Sequence, residues 1–176
     1  MSNVVRSLVV LPYFIYLLAF FITAGPFAFF LPPESVDFFQ YDLLNQYGGT
    51  GKLLTWQKLS GFFVAGIPAL LLLLSMIYLL RLIAALKAGL WFDEYSELLC
   101  RRFGRALLWY VATSIVHRTL LVFILTATYP PGEHQFHVSF SNQDLMALVP
   151  AIFAMIFAHI LGLARVQHEE LQQLSK

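Results

Sequence analysis

Residues 59–86 read LSGFFVAGIPALLLLLSMIYLLRLIAAL, and this stretch decides the fold. Its one charge is Arg81. A helix needs about 20 apolar residues to cross the hydrocarbon core of a bilayer. A helix that is apolar on every side belongs in a membrane or a large protein core, not on a wet surface. Three more stretches qualify, at about residues 7–31, 105–128 (with one polar interruption) and 145–164. The expected fold is all-α and membrane-embedded: a bundle of four transmembrane helices in a single domain.

Composition agrees. The 176 residues are 59% hydrophobic and 12% charged, whereas soluble domains carry about 25% charged residues. So few charges cannot coat a surface facing water. The net charge of +1 gives no footprint for nucleic acid. The single cysteine, Cys100, excludes an internal disulfide framework and a Cys-rich metal site. It reads as a buried or interfacial thiol, although Arg101 and Arg102 beside it are the electropositive neighbours a reactive thiol needs.

Lysine and arginine placement orients the chain. Arg6 precedes the first span. Arg81, Lys87, Arg101, Arg102 and Arg105 lie at or between the facing ends of spans two and three. Arg165 and Lys176 follow span four. The opposite side holds Lys52 and Lys58. Both termini are therefore expected in the cytoplasm. The first span is too long for a signal-peptide core and reads as an uncleaved anchor, with Pro12 and Pro26 kinking or ending it.

The outer loops are expected at residues 32–58 and 129–144. In the first, Val36, Phe39, Tyr41, Leu43 and Leu44 give a short helix an apolar side. Gly48-Gly49-Thr50-Gly51-Lys52 resembles a phosphate loop only superficially. Gln46 stands where the first glycine belongs, Leu53 where Ser or Thr belongs, and no strand precedes it, so a flexible turn is expected. In the second loop, His134 and His137 form an H-x-x-H pair with no third ligand in view. The cytoplasmic connection, 87–104, starts at a glycine stop, Gly89. Asp93 is expected to cap a new helix, with Glu94 and Glu97 near its positive end. Phe92, Tyr95, Leu99 and Phe103 recur at helical spacing, so an amphipathic helix at the inner interface is expected. Its Arg101, Arg102 and Arg105 would serve as contacts for lipid headgroups or as topology anchors. After span four the helix should continue as a polar tail.

Within the spans one polar cluster stands out. Thr113 and His117 are four residues apart, as are Ser114 and Arg118, so the four share a helix face. An arginine at mid-span costs about 2.5–3.5 kcal/mol on insertion scales. No acidic residue falls inside any of the four expected spans. Asp144 and Glu133, at the outer surface, are within reach if Arg118 snorkels outward. The cluster reads either as an anion, lipid or partner site or as a satisfied interhelical network. His117 and His159 raise the thought of a haem, but an offset of roughly 9–10 Å in depth opposes it. No cofactor or metal is expected. Ala154, Ala158 and Gly162 on span four, and Ala65 and Ala69 on span two, are small residues spaced for close helix packing, within the bundle or towards a partner. Ile67-Pro68-Ala69-Leu70-Leu71 and Val149-Pro150-Ala151-Ile152-Phe153 hint at a diverged internal repeat, a pattern found in transporters.

Ala88-Gly89-Leu90-Trp91-Phe92, followed by Leu98-Leu99 and Arg102-Phe103-Gly104 before a span, resembles the inner segment of the domain of unknown function 2975 family, small four-span bacterial membrane proteins. The final helix, from Ala154 to Leu171 with Glu169-Glu170 near its end, is similar to that family's closing helix. The chain departs from the family in reaching Lys176 without the usual acidic and apolar tail. The resemblance implies four spans in a bacterial inner membrane and supplies no site residues. No catalytic constellation is evident. The function expected first is therefore a non-catalytic accessory subunit or regulator acting through helix contacts, with membrane lipids and a protein partner or second copy as neighbours. The alternatives are a small transporter or lipid- or anion-binding protein using the Thr113–Arg118 face, and a haem-carrying redox protein.

Overall fold

The computed structural model describes residues 2–27, 53–91, 93–128 and 142–174. They form four helices: α1 (Ser2–Phe27), α2 (Thr55–Lys87), α3 (Glu94–Thr126) and α4 (Asn142–Leu174). All four are long and apolar enough to cross a membrane. At 1.5 Å per residue, the 33-residue helices α2, α3 and α4 run about 50 Å, well beyond a hydrocarbon core of about 30 Å. Much of their outer surface is large and apolar, for example Tyr13, Phe14, Leu70, Trp109 and Phe153. Such continuous apolar exposure suits a hydrocarbon solvent and not water. The short apolar helix expected at 36–44, the glycine turn at 48–52 and the His134/His137 pair lie outside the described residues.

Each helix packs antiparallel on the next. Leu82 and Ala85 of α2, Leu99 and Cys100 of α3, and Ala154, Ala158 and Leu161 of α4 make one core at the end of the bundle where α2 turns into α3. Ala65 of α2 meets Leu121 and Leu125 of α3 at the other end. Ile15 of α1 packs on Met76 and Ile83 of α2. Extensive contacts run α1 to α2, α2 to α3 and α3 to α4. No comparably extensive contact joins α1 to α4 among the described residues, so the bundle is open where a closed four-helix bundle would be sealed.

The α2–α3 corner is built as the glycine stop predicts. Gly89 has φ +84°, a left-handed conformation that costs glycine little. It lets Leu90 N–H donate to the Ala85 carbonyl and Gly89 N–H to the Leu86 carbonyl, the paired bonds of a Schellman cap. Asp93 takes the N-cap position, but its carboxylate makes no cap hydrogen bond; its backbone carbonyl accepts from Ser96 and Glu97 N–H instead. Ser96 Oγ donates to the Leu90 carbonyl at 2.5 Å, which pins the turn.

The amphipathic stretch after Asp93 leads into span three without a break: it forms the first turns of α3, and its apolar side, Leu99 and Cys100, is buried in the bundle. Gly104 permits this, because a Cβ there would meet the Ala151 carbonyl at 3.2 Å and Met155 at 3.0 Å. Helix α4 starts at Asn142, three residues before the expected span, which places Asp144 inside the helix and not in the loop. The expected polar continuation of α4 is present, as the helix runs to Leu174.

Gln57, 2% exposed, ties the far ends of α2 and α3 together. Its Oε1 accepts the Leu54 N–H at 2.9 Å, and its Nε2 donates to the Ile124 carbonyl at 2.9 Å. One side chain thus serves an orphan donor at a helix start and joins the Ala127 N–H on a carbonyl at a helix end. Gln57→Leu is expected to cost about 1–3 kcal/mol, the penalty for stranding buried polar groups. Denaturant unfolding in detergent micelles checks it, and a loss under about 0.5 kcal/mol would show that water serves both groups instead.

Candidate functional site

Helix α1 leans away from α3 and leaves a chamber of about 310 Å³ between α1, α2 and α3. Phe21, Ile22 and Pro26 of α1 and Pro68 and Leu72 of α2 form its apolar walls. Pro68 also removes the N–H that would otherwise bond to the Val64 carbonyl. The α3 wall is polar: Tyr110, Ser114, His117 and Arg118, with Leu121 above them. Their spacing, 110–114–118 with 117, is one helical stripe.

Arg118 is not alone. Its Nη2 donates to Asp144 Oδ1 from α4 and lies 3.4 Å from Ser114 Oγ. Asp144 is 2% exposed and sits in the first turn of α4, where the helix dipole favours a negative charge. The arginine therefore has an acidic partner within the apolar body of the protein. The expectation that no acidic residue lies inside a span fails at this position. Tyr110 is near enough to feel the charges of both Asp144 and Arg118. His117 adjoins Arg118 and has a buried Nε2 without a hydrogen-bond partner among the described residues.

Of the four cluster residues expected from sequence, Ser114, His117 and Arg118 line the chamber, and Thr113 does not. Thr113 Oγ1 donates back to the Trp109 carbonyl at 2.8 Å on its own helix. Ser75, Thr119 and Thr126 satisfy their hydroxyls in the same way. The sequence puts Asp144 within reach of Arg118, though in the outer loop; Tyr110 is the member that sequence reasoning missed. Tyr110 carried a signal, since it stands four residues before Ser114. His159 lies on the exposed side of α4 and does not line the chamber. Among the described residues no group of three His, Cys, Asp or Glu is placed to hold a metal ion.

The small-residue faces are packed inside the molecule. Ala158 is 1% exposed, Ala154 and Ala65 are buried, and Ala69 lines the chamber. A Cβ on Gly162 would come within 3.2 Å of the Glu97 carboxylate. That carboxylate is bonded to Arg101 at 2.6 Å and approached by Arg165 of α4 at 3.5 Å. Arg101 is thus engaged within the protein. Arg102 and Arg105 are exposed and make no ion pair among the described residues, which leaves them available to headgroups. A second hollow, almost wholly apolar, lies between α2, α3 and α4 beside Cys100, Phe103 and Pro150. The Cys100 thiol donates to the Ala154 carbonyl at 3.3 Å and is buried, unlike a reactive thiol. The two span prolines thus border different hollows, Pro68 the polar chamber and Pro150 the apolar one.

No known protein family, curated protein or solved structure matches the chain.

Proposed function

We propose that this is a non-catalytic, multi-pass membrane protein that binds a small ligand or lipid headgroup in the chamber between α1, α2 and α3, in the manner of a small transporter or lipid-binding protein. The observation that carries this reading is the chamber itself. An apolar cavity with one polar wall, inside helices of membrane length, is how a ligand site is built within a bilayer. The open side of the bundle, where α1 lacks extensive contact with α4, provides a route in. The lysine and arginine distribution supports both termini on the cytoplasmic side, and the resemblance noted in the sequence supports a bacterial cytoplasmic membrane.

One observation favours a second reading, an accessory subunit acting through helix contacts. Among the described residues, helix α1 packs extensively on α2 alone and exposes Tyr13, Phe14, Tyr16, Leu17 and Phe20. A partner helix could lie on that surface. Native mass spectrometry of the protein extracted gently from its host membrane separates the two. A bound small molecule or lipid that is lost in Ser114→Val is the expected result. A stoichiometric second polypeptide with an empty chamber would move the weight to the accessory-subunit reading.

A further inference from the structure

The polar wall of the chamber is a chain of hydrogen-bond donors with a direction. It starts at Arg118, whose guanidinium can only donate. Its Nη2 donates to Asp144 and, at 3.4 Å, to Ser114 Oγ. Ser114 Oγ is hydrogen-bonded in turn to the Tyr110 hydroxyl. The guanidinium supplies the hydrogen at Ser114, so the serine gives its own to the Tyr110 oxygen. That leaves the Tyr110 O–H to donate onward. Thr113, Ser75, Thr119 and Thr126 spend their hydroxyls on carbonyls of their own helices. Tyr110 lines the chamber, and its O–H has no acceptor among the described residues. Bonds in such a chain polarise one another, which strengthens the donor at the end.

The wall offers these donors without net charge. Arg118 is the sole lining group with a fixed positive charge among the described residues, and Asp144 neutralises it from outside the chamber. Asp144 is held in place from other sides as well. It sits at the N-terminus of α4, where the helix dipole favours its charge, and it has an interaction beyond Arg118. A ligand anion would therefore add an unbalanced charge to an apolar site, which is strongly unfavourable. No carboxylate lines the chamber to hold a cation, among the described residues.

From these two properties we infer that the chamber takes an uncharged lipophile bearing a carbonyl group, whose oxygen accepts a hydrogen bond from Tyr110. This rests on the ligand-binding reading above and names its ligand class. A carbonyl oxygen has lone pairs and no hydrogen to give, so it matches a wall that ends in a donor. The apolar walls at Phe21, Ile22, Pro68 and Leu72 receive the rest of the molecule. The volume, about 310 Å³, is near the lower limit for ligand pockets. It admits a ring or a short chain, not a whole phospholipid. A free lipophile or the ester of a surrounding lipid presents the same oxygen.

The test is photolabelling of the full chain in nanodiscs of ether-linked phosphatidylcholine, a bilayer without carbonyl groups. The probe is 4-butylbenzophenone, a ketone that inserts into neighbouring C–H bonds on illumination. 2-Decanone, 1-octanesulfonate (permanently anionic) and decane compete, each at the same concentration in the bilayer. The expected result is saturable labelling of the chamber walls, with 2-decanone protecting at least about fivefold better than the sulfonate or decane. Tyr110→Phe removes one oxygen and keeps the ring. It should weaken protection by 2-decanone about fivefold, the worth of one hydrogen bond. A parallel arm in diacyl phosphatidylcholine separates the two sources. Weaker labelling there assigns the carbonyl to a lipid ester, unchanged labelling assigns it to a free lipophile, and both uphold the inference. Protection by the sulfonate or by decane equal to that by the ketone overturns the inference and leaves the ligand-binding reading standing. Protection unchanged in Tyr110→Phe also overturns it, because the carbonyl then bonds elsewhere. No saturable labelling of the chamber walls overturns both. The wild-type competition decides the matter even if Tyr110→Phe does not fold.

Discussion

Arg118→Leu is expected to destabilise the folded protein by about 3–5 kcal/mol, the loss typical of removing one partner from a buried ion pair. The size follows from what is left behind. Asp144 stays in the first turn of α4, 2% exposed, and loses the guanidinium that neutralises it. Ser114 loses a contact, and the chamber wall loses its longest side chain. The arginine was itself costly to place in a span, by about 2.5–3.5 kcal/mol on insertion scales, so on that count alone its removal would help. The buried carboxylate reverses that sign. The double variant Arg118→Leu with Asp144→Leu should recover most of the loss, since well-packed apolar replacements of buried ion pairs are often neutral or better. A double-mutant cycle, measured by reversible unfolding in mixed micelles, reads the coupling directly. A coupling below about 0.5 kcal/mol would mean that solvent screens the pair, as it does at protein surfaces.

Sequence alone located the helices because hydropathy reports them directly: a run such as 59–86 has no alternative structure in which it escapes water. It placed helix ends less well, for a physical reason. A hydropathy boundary marks where charge begins, whereas a helix continues as long as its backbone bonds are made. Asp144 was therefore assigned to a loop, although α4 starts two residues before it. The same cause put a boundary at Arg105, between the amphipathic stretch 94–104 and the span it leads into, although nothing between Glu94 and Thr126 breaks the hydrogen-bond ladder. The Ser114–Arg118 stripe was legible from helical periodicity. Its acidic partner was legible only as one of two outer-loop carboxylates within reach, because periodicity describes one helix and Asp144 comes from another, 26 residues away in sequence. Gln57 reaching Ile124, and Arg165 reaching Glu97, escaped for the same reason. The spacing of Ala154, Ala158 and Gly162 gave a packing face but no direction, and only the arrangement of α2, α3 and α4 shows that it points inward.

That inward direction sets the second large effect. Ala158→Leu is expected to destabilise the monomer by about 1–3 kcal/mol, and more if the backbone cannot yield. Ala158 is 1% exposed and sits in the core among Leu82, Ala85, Leu99, Cys100 and Leu161, where three extra carbons must displace neighbours, and it does not line the apolar hollow beside Cys100. The neighbouring contacts leave little slack: Gly104 lies against the Ala151 carbonyl, and Gly162 against the Glu97 carboxylate. Relief must come from moving α4 off α3, which also pulls Arg165 from Glu97 and Asp144 from Arg118, because both ion pairs cross the same helix interface. The substitution should therefore weaken the chamber's polar wall from the opposite end of the helix. Had this face met a partner instead, the monomer would keep its stability and an assembly would come apart. Thermal unfolding of the purified monomer, run beside a size measurement of the protein in its native membrane extract, tells these apart. A stable monomer that has lost a larger assembly would overturn the placement of α4 against α3, and an unstable one is the result expected from the packing.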